Sequence, residues 1–265
     1  MNLPQFRLEP IMDLVRGEPL GFELLAGASR CPDWSEDGWR AFYIDLPELF
    51  RSHIPASARV FINLDSREVL DHAIVDGLLG IEGRHRLVVE WTEHFRTAIA
   101  YETAASAFAR LKQYGFALAI DDVGAGYDGI GRTLRVLPAF AKLDMSLTRL
   151  ARRGQPFCAH DPELVSLFGA NIAKPRFLRD LNDFFEGVGA CVIAEGIESA
   201  DDLERVRTNG IRYGQGYYFA SWKGGASTSG HQVRIPAGER RILEAPGAPA
   251  EALAVVDWKS SARSK

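Results

Sequence analysis

Six short apolar runs in this chain each end on a residue that hydrophobic burial would reject. Val60-Phe61-Ile62 runs into Asn63, Leu87-Val88-Val89 into Glu90, and the run from Phe116 into Asp121. Phe140-Ala141 runs into Lys142, the run from Cys191 into Glu195, and a weaker one from Ile211 into Gln215. Asp122 and Glu198 follow just beyond. A single carboxylate at a strand end serves as a helix cap or a surface group. Six runs ending on polar residues are not explained that way. Gathered carboxylates are costly unless something positive binds them. No His or Cys joins the set, so its hard oxygen atoms suit Mg²⁺ or Mn²⁺ better than zinc. Lys142 adds a positive charge to the same ring.

The elements that must position these residues are strands buried on both faces. Continuous rather than alternating hydrophobicity is the mark of parallel strands with both sides covered. Helical segments lie between them. Residues 97–114 are Ala-rich with apolar residues at helical spacing, and Gly115 is suited to stop that helix. Ser199 opens another, capping free N–H groups ahead of Asp201 and Asp202, and Gly210 ends it. Strand and helix alternate, which points to βα units. In a barrel of such units the strand C-termini converge on one mouth, where active sites form. The interval from Lys142 to Glu195 is longer than one unit and holds Arg152-Arg153 and Asp161-Pro162, so an inserted loop is expected there.

The chain of 265 residues is long enough for one such barrel of roughly 250. Its formal net charge of −4 argues against a duplex nucleic-acid partner. Cys31, Cys158 and Cys191 are odd in number and far apart with no CxxC pair, which argues against a disulfide framework or zinc cage, and Cys191 is expected as a small core residue. No basic segment followed by an apolar stretch opens the sequence, and no run of about 18 apolar residues occurs. A cytoplasmic protein without a membrane span is expected. After Trp222 comes a Gly/Ser-rich stretch, so residues 1–222 are expected to form the barrel domain, with 223–265 a linker and partly disordered tail. The six histidines are scattered and carry no assignment.

The motifs, in order, resemble those of the EAL-domain phosphodiesterases over roughly residues 6–222. They are Glu9-Pro10-Ile11 with Glu23-Leu24-Leu25, then Phe61-Ile62-Asn63-Leu64 and Glu90-Trp91-Thr92-Glu93. Asp121-Asp122-Val123-Gly124-Ala125-Gly126-Tyr127, Lys142-Leu143-Asp144, Glu195-Gly196-Ile197-Glu198 and Gln215-Gly216-Tyr217-Tyr218-Phe219 complete the series. The resemblance implies an α/β fold, a (β/α)₈ TIM-like barrel whose first strand is antiparallel. It implies hydrolysis of cyclic di-GMP to linear pGpG with two Mg²⁺ or Mn²⁺ ions, by a homodimer. Glu23, Asn63, Glu90 and Asp121 would hold one ion, and Asp121 with Asp122 a second. Lys142 would orient the attacking water, Glu195 would act as general base, and Glu198 and Gln215 would support water and metal. Glu93 and Asp144 would brace the loop after Asp121, and Leu25 with Gln215 would touch substrate.

Two departures from the family pattern touch substrate grip rather than metal. Gly27 stands where Arg is usual, and Glu9 where Gln is usual. The loop after Asp122 differs too, at Val123, Ala125 and Asp128-Gly129. Besides the hydrolase, the same residues allow a catalytically silent receptor for cyclic di-GMP, or a protein-interaction module that binds no nucleotide. The full set of metal-type residues favours the first, and Gly27 leans toward the last.

Overall fold

A computed structural model describes residues 6–27, 35–54, 57–92, 101–125, 128–148 and 176–220. Eight strands close into one barrel in chain order. They are β1 (Phe6–Asp13), β2 (Glu18–Ala26), β3 (Val60–Leu64), β4 (Leu87–Trp91), β5 (Ala117–Val123), β6 (Phe140–Leu143), β7 (Cys191–Ala194) and β8 (Tyr213–Gly214). β1 is antiparallel to both its neighbours, β2 and β8, and every other adjacent pair is parallel. The expected (β/α)₈-type barrel with an antiparallel first strand is therefore what the chain forms.

The described helices pack around it: α1 (Glu36–Ile44), α2 (Leu46–His53), α3 (His72–Leu79), α4 (Tyr101–Gln113), α5 (Gly129–Val136), α6 (Phe177–Gly187) and α7 (Ala200–Thr208). Their starts follow local chemistry. Ser35, Asp71 and Ser199 accept hydrogen bonds from Gly38, Ala73 and Asp202 backbone N–H groups at the N-termini of α1, α3 and α7. After α4 the chain turns through Gly115 at φ +93°, a left-handed conformation glycine adopts without a Cβ penalty.

The continuous apolar runs are explained by two separate burial surfaces. Ile62, Val89, Ile120, Ala141 and Val192 face outward into the layer shared with the helices. Ile11, Phe61, Val88, Ala119, Phe140 and Ile193 face inward and fill the barrel itself. Cys191 corrects the expectation of a core thiol, because it is exposed. It shares an inward phase with Ile193 and pairs with Phe140, but it is the first residue of β7 and lies at the open lower rim. The linker and tail, Cys31, Cys158 and most of the expected insertion lie outside the described residues. No helix among the described residues is long and apolar enough to cross a membrane.

Candidate active site at the barrel mouth

The residues that end the apolar runs meet at one place. Glu23 on β2, Glu90 on β4, Asp121 on β5 and Lys142 on β6 are buried, as is Gln215 just after β8. Asn63 on β3, Asp122 on β5 and Glu195 just after β7 are half-buried. Lys142 Nζ stands at the centre, 2.8 Å from Glu195 Oε1, 3.0 Å from Glu90 Oε2, 3.1 Å from Asp121 Oδ1 and 3.3 Å from Glu23 Oε2. Asn63 Nδ2 donates to Glu23 Oε1 at 2.8 Å, and Gln215 Nε2 donates to Glu23 Oε2 at 2.6 Å.

Asp121 and Asp122 both reach this region because β5 is irregular there. Its register with β6 shifts between Ile120 and Val123, and Asp122 takes φ +56°. Such a bulge re-aims side chains and is common beside active sites. Oxygen atoms of Asp121, Asp122 and Glu195 lie within 4.8 Å of one another.

One lysine does not neutralise this group. Burial pushes Glu195 up to about 8 and Asp122 up to about 7, with Asp121 adding to both and Lys142 opposing. Burial also raises Glu90 well above the usual carboxyl range, against the pull of Lys142. At Glu23 burial acts in the same direction, but Lys142 and the Gln215 and Asn63 amides outweigh it and leave its pKa lowered. Burial would strip the proton from Lys142, yet its four carboxylate neighbours hold it well above its ordinary value. Full ionisation of these carboxyls would thus put more negative charge here than Lys142 compensates. Asn63 Oδ1, Glu90 Oε1 and Gln215 Oε1 are buried without a hydrogen-bond partner among the described residues. Orphan oxygens among raised carboxyls fit a divalent, oxygen-seeking cation.

Glu198 is exposed, and its backbone N–H donates to Asp202 Oδ2. Asp144 sits beside the loop after β5. Its N–H donates to Val123 O at 3.0 Å, and its Oδ1 accepts from Ser146 N. Leu25 lines the cavity above the site. Glu93 lies outside the described residues.

Other residues here have no signal in the apolar runs. Arg132, on α5, is 2% exposed and places its guanidinium against Trp91 O and Asp121 O, tying β4 to β5 directly behind the carboxylates. An arginine on a short helix reads as a solvated residue, and nothing in the local sequence marks it otherwise. Tyr43 on α1 donates to Asn63 O at 2.7 Å. The cavity over the site has a volume of about 810 Å³ and is walled by α1 and the turn after β3 as well as by the strand ends. That volume lies within the usual range for small-molecule and cofactor sites.

The EAL domain family model matches residues 44–221. The probable cyclic di-GMP phosphodiesterase PdeG of Escherichia coli (strain K12) is 25% identical over 173 residues, 63% of this chain and 31% of its own length. The cyclic di-GMP phosphodiesterase PdeB of Shewanella oneidensis is 26% identical over 191 residues, 65% of this chain and 20% of its own length. The chain thus spans less than a third of these relatives. Among solved structures, an EAL domain protein from Listeria monocytogenes superposes with a TM-score of 0.62 at 18% identity, over 82% of this chain and 87% of that one. The Klebsiella pneumoniae BlrP1 protein, solved with manganese and cyclic di-GMP, gives 0.64 at 21% identity, over 82% and 55%. At these identities the structures establish the shared fold.

Proposed function

The chain belongs to the EAL domain family, and we propose that it hydrolyses cyclic di-GMP to linear pGpG with divalent metal ions. The observation that carries this reading is the convergence of Glu23, Asn63, Glu90, Asp121, Asp122, Glu195 and Gln215 around Lys142 at the mouth. Glu23, Asn63, Glu90 and Asp121 would hold one ion, and Asp121 and Asp122, with Glu195 in reach, would hold a second. Bound Mg²⁺ or Mn²⁺ supplies nucleophile activation and charge neutralisation at phosphorus. Glu195 takes the proton of the water that attacks phosphorus. Its carboxylate stands with those of Asp121 and Asp122 at the mouth, where a positioned general base can serve a bound water. Lys142, held cationic by its neighbours, orients that water and the phosphoryl oxygens. The P–O3′ bond breaks, O3′ leaves with a proton taken up from solvent while Glu195 later returns its own to solvent, and the macrocycle opens to a dinucleotide with a 5′-phosphate. Gln215 keeps Glu23 in place, and Glu198 supports the water from the rim.

The experiment is a hydrolysis assay on cyclic di-GMP with Mg²⁺ or Mn²⁺, with products separated and pGpG quantified. Metal-dependent pGpG formation is expected. Binding without turnover would replace the hydrolase with a receptor, and neither binding nor turnover would leave an interaction module.

A further inference from the structure

β1 runs against the other strands, so its beginning lies at the mouth where they finish. Inward positions along it alternate. Ile11 belongs to the apolar filling of the barrel, Glu9 pairs across the sheet with Glu23, and Arg7 pairs with Leu25 one layer further out. The antiparallel strand therefore delivers an arginine to the rim directly above the carboxylate site. Its guanidinium is fixed in place. Nε donates to Glu9 Oε1 at 2.9 Å, and Nη1 faces Ala26 O at 3.2 Å and Gly27 O at 3.5 Å. Nη2 has no partner among the described residues, and Arg7 lines the cavity.

The other described cations of the cavity are already committed. Lys142 serves four carboxylates. Arg40 is held by both oxygens of Asp71, and Arg67 by Glu36 and Asp65. Gly27, where the chain leaves β2, offers no side chain and sits at φ +81°. Of these guanidiniums Arg7 is the one carried on a barrel strand above the carboxylates, and its Nη2 is without a partner among the described residues.

We propose that Arg7 is the phosphate grip of this site, taking the phosphate that is not being cleaved, with Glu9 as the tether that aims it. This rests on the reading that the ligand is a cyclic dinucleotide. Two phosphates in one macrocycle cannot both sit among the metal-side carboxylates, so the second lies outward, toward the rim. One strand layer outward is where Arg7 stands, and a guanidinium fork matches phosphate oxygens in a way a point charge does not. Glu9 has a double effect. It orients the fork, and its charge weakens the pull on an anion.

The test is equilibrium binding of fluorescent cyclic di-GMP in Mg²⁺ at one fixed salt concentration. It is measured on Glu195→Gln as parent to slow turnover, with circular dichroism as the folding check. Adding Arg7→Gln is expected to weaken binding about 10- to 100-fold, the range for losing charged hydrogen bonds. Adding Arg7→Lys instead is expected to recover part of that loss, and adding Glu9→Gln to tighten binding severalfold. Binding by Arg7→Gln as tight as the parent's overturns the assignment. Should Arg7→Gln misfold, Glu9→Gln decides, and no tightening overturns it. A parent that binds no cyclic dinucleotide overturns this assignment together with the proposed ligand. Binding that falls with Arg7→Gln in a protein whose wild type releases no pGpG upholds the grip and removes only the hydrolase.

Discussion

Two adjacent layers inside the barrel differ in almost every physical respect. The lower holds Phe61, Val88, Ala119, Phe140 and Ile193; the upper, two residues further along the same strands, holds Asn63, Glu90, Asp121, Lys142 and Glu195. Two residues is the shortest step that keeps a side chain on the same face, roughly 6.6 Å along a strand. The lower layer is apolar, with the Phe61 and Phe140 rings edge-on at 5.3 Å. The upper layer buries charges that raise one another's pKa and leaves oxygens without partners. Apolar packing therefore stabilises the lower layer, whereas the upper one is destabilising until a cation compensates it.

The largest expected effect comes from the upper layer. Glu195→Gln keeps size and hydrogen-bonding reach but removes the base, and a positioned general base is worth roughly 10²- to 10⁴-fold in rate. Stability should move the other way. A carboxyl pushed up to about 8 is costly to ionise, so a neutral amide leaves the melting temperature unchanged or higher. The checks are steady-state kinetics and a thermal melt on the same preparation. Wild-type turnover would remove the assigned role, and a large drop in melting temperature would mean that the upper layer supports the fold.

The lower layer gives the converse. Phe61 is fully buried, and Phe61→Ala should cost about 3–5 kcal/mol of stability by urea denaturation. Well below its melting temperature, this variant should still respond to divalent metal. Loss of that response in folded protein would show that the two layers are not independent.

Next in size is the metal response itself. Saturating Mg²⁺ or Mn²⁺ should stabilise the folded chain by about 2.7 kcal/mol when the ion is at a hundred times its dissociation constant. Asp121→Asn should abolish most of this, since Asp121 belongs to both proposed ion sites. Equal shifts in variant and wild type would place the ion elsewhere.

How much of this contrast was legible beforehand depended on which faces a strand buries. β3 through β7 stood out because burial on both sides leaves an unbroken apolar run such as Phe140-Ala141, and the polar residue that ends each run marked the upper layer. β1 shows no such run. It carries Arg7 and Glu9 inward at the mouth, so Phe6–Asp13 mixes charge and apolar residues at every turn of the alternation. The family motifs supplied that strand; its hydropathy did not. Arg132 was hidden for a different reason. Its burial is set by carbonyls of β4 and β5, 41 and 11 residues away in sequence, which no local pattern encodes. Cys191 is exposed at the start of β7, and an apolar run does not show where it crosses the rim.

The smallest predicted effect lies outside both layers, in the cavity wall, and separates burial from metal chemistry. Glu68 and Asp65 cap each other across the turn after β3. Glu68 Oε2 accepts from Asp65 N at 2.7 Å, and Asp65 Oδ1 accepts from Glu68 N at 2.8 Å. Burial pushes Glu68 up to about 7, against the pull of the Asp65 backbone N–H. The folded chain therefore holds this proton more tightly than the unfolded chain, whose Glu titrates near 4.5. The resulting stability is present in full below pH 4.5 and is lost as pH rises to about 7. At 1.36 kcal/mol per pKa unit the ceiling is roughly 3 kcal/mol, and partial exposure reduces it to on the order of 1. Gln keeps an acceptor for Asp65 N–H and never ionises. Glu68→Gln should thus raise the melting temperature by a few degrees at pH 8 and lose that advantage below pH 4.5. The measurement is a pair of melting curves across pH 4–8 without divalent metal. A gain that is the same at every pH would mean that packing, not the proton, distinguishes the two side chains.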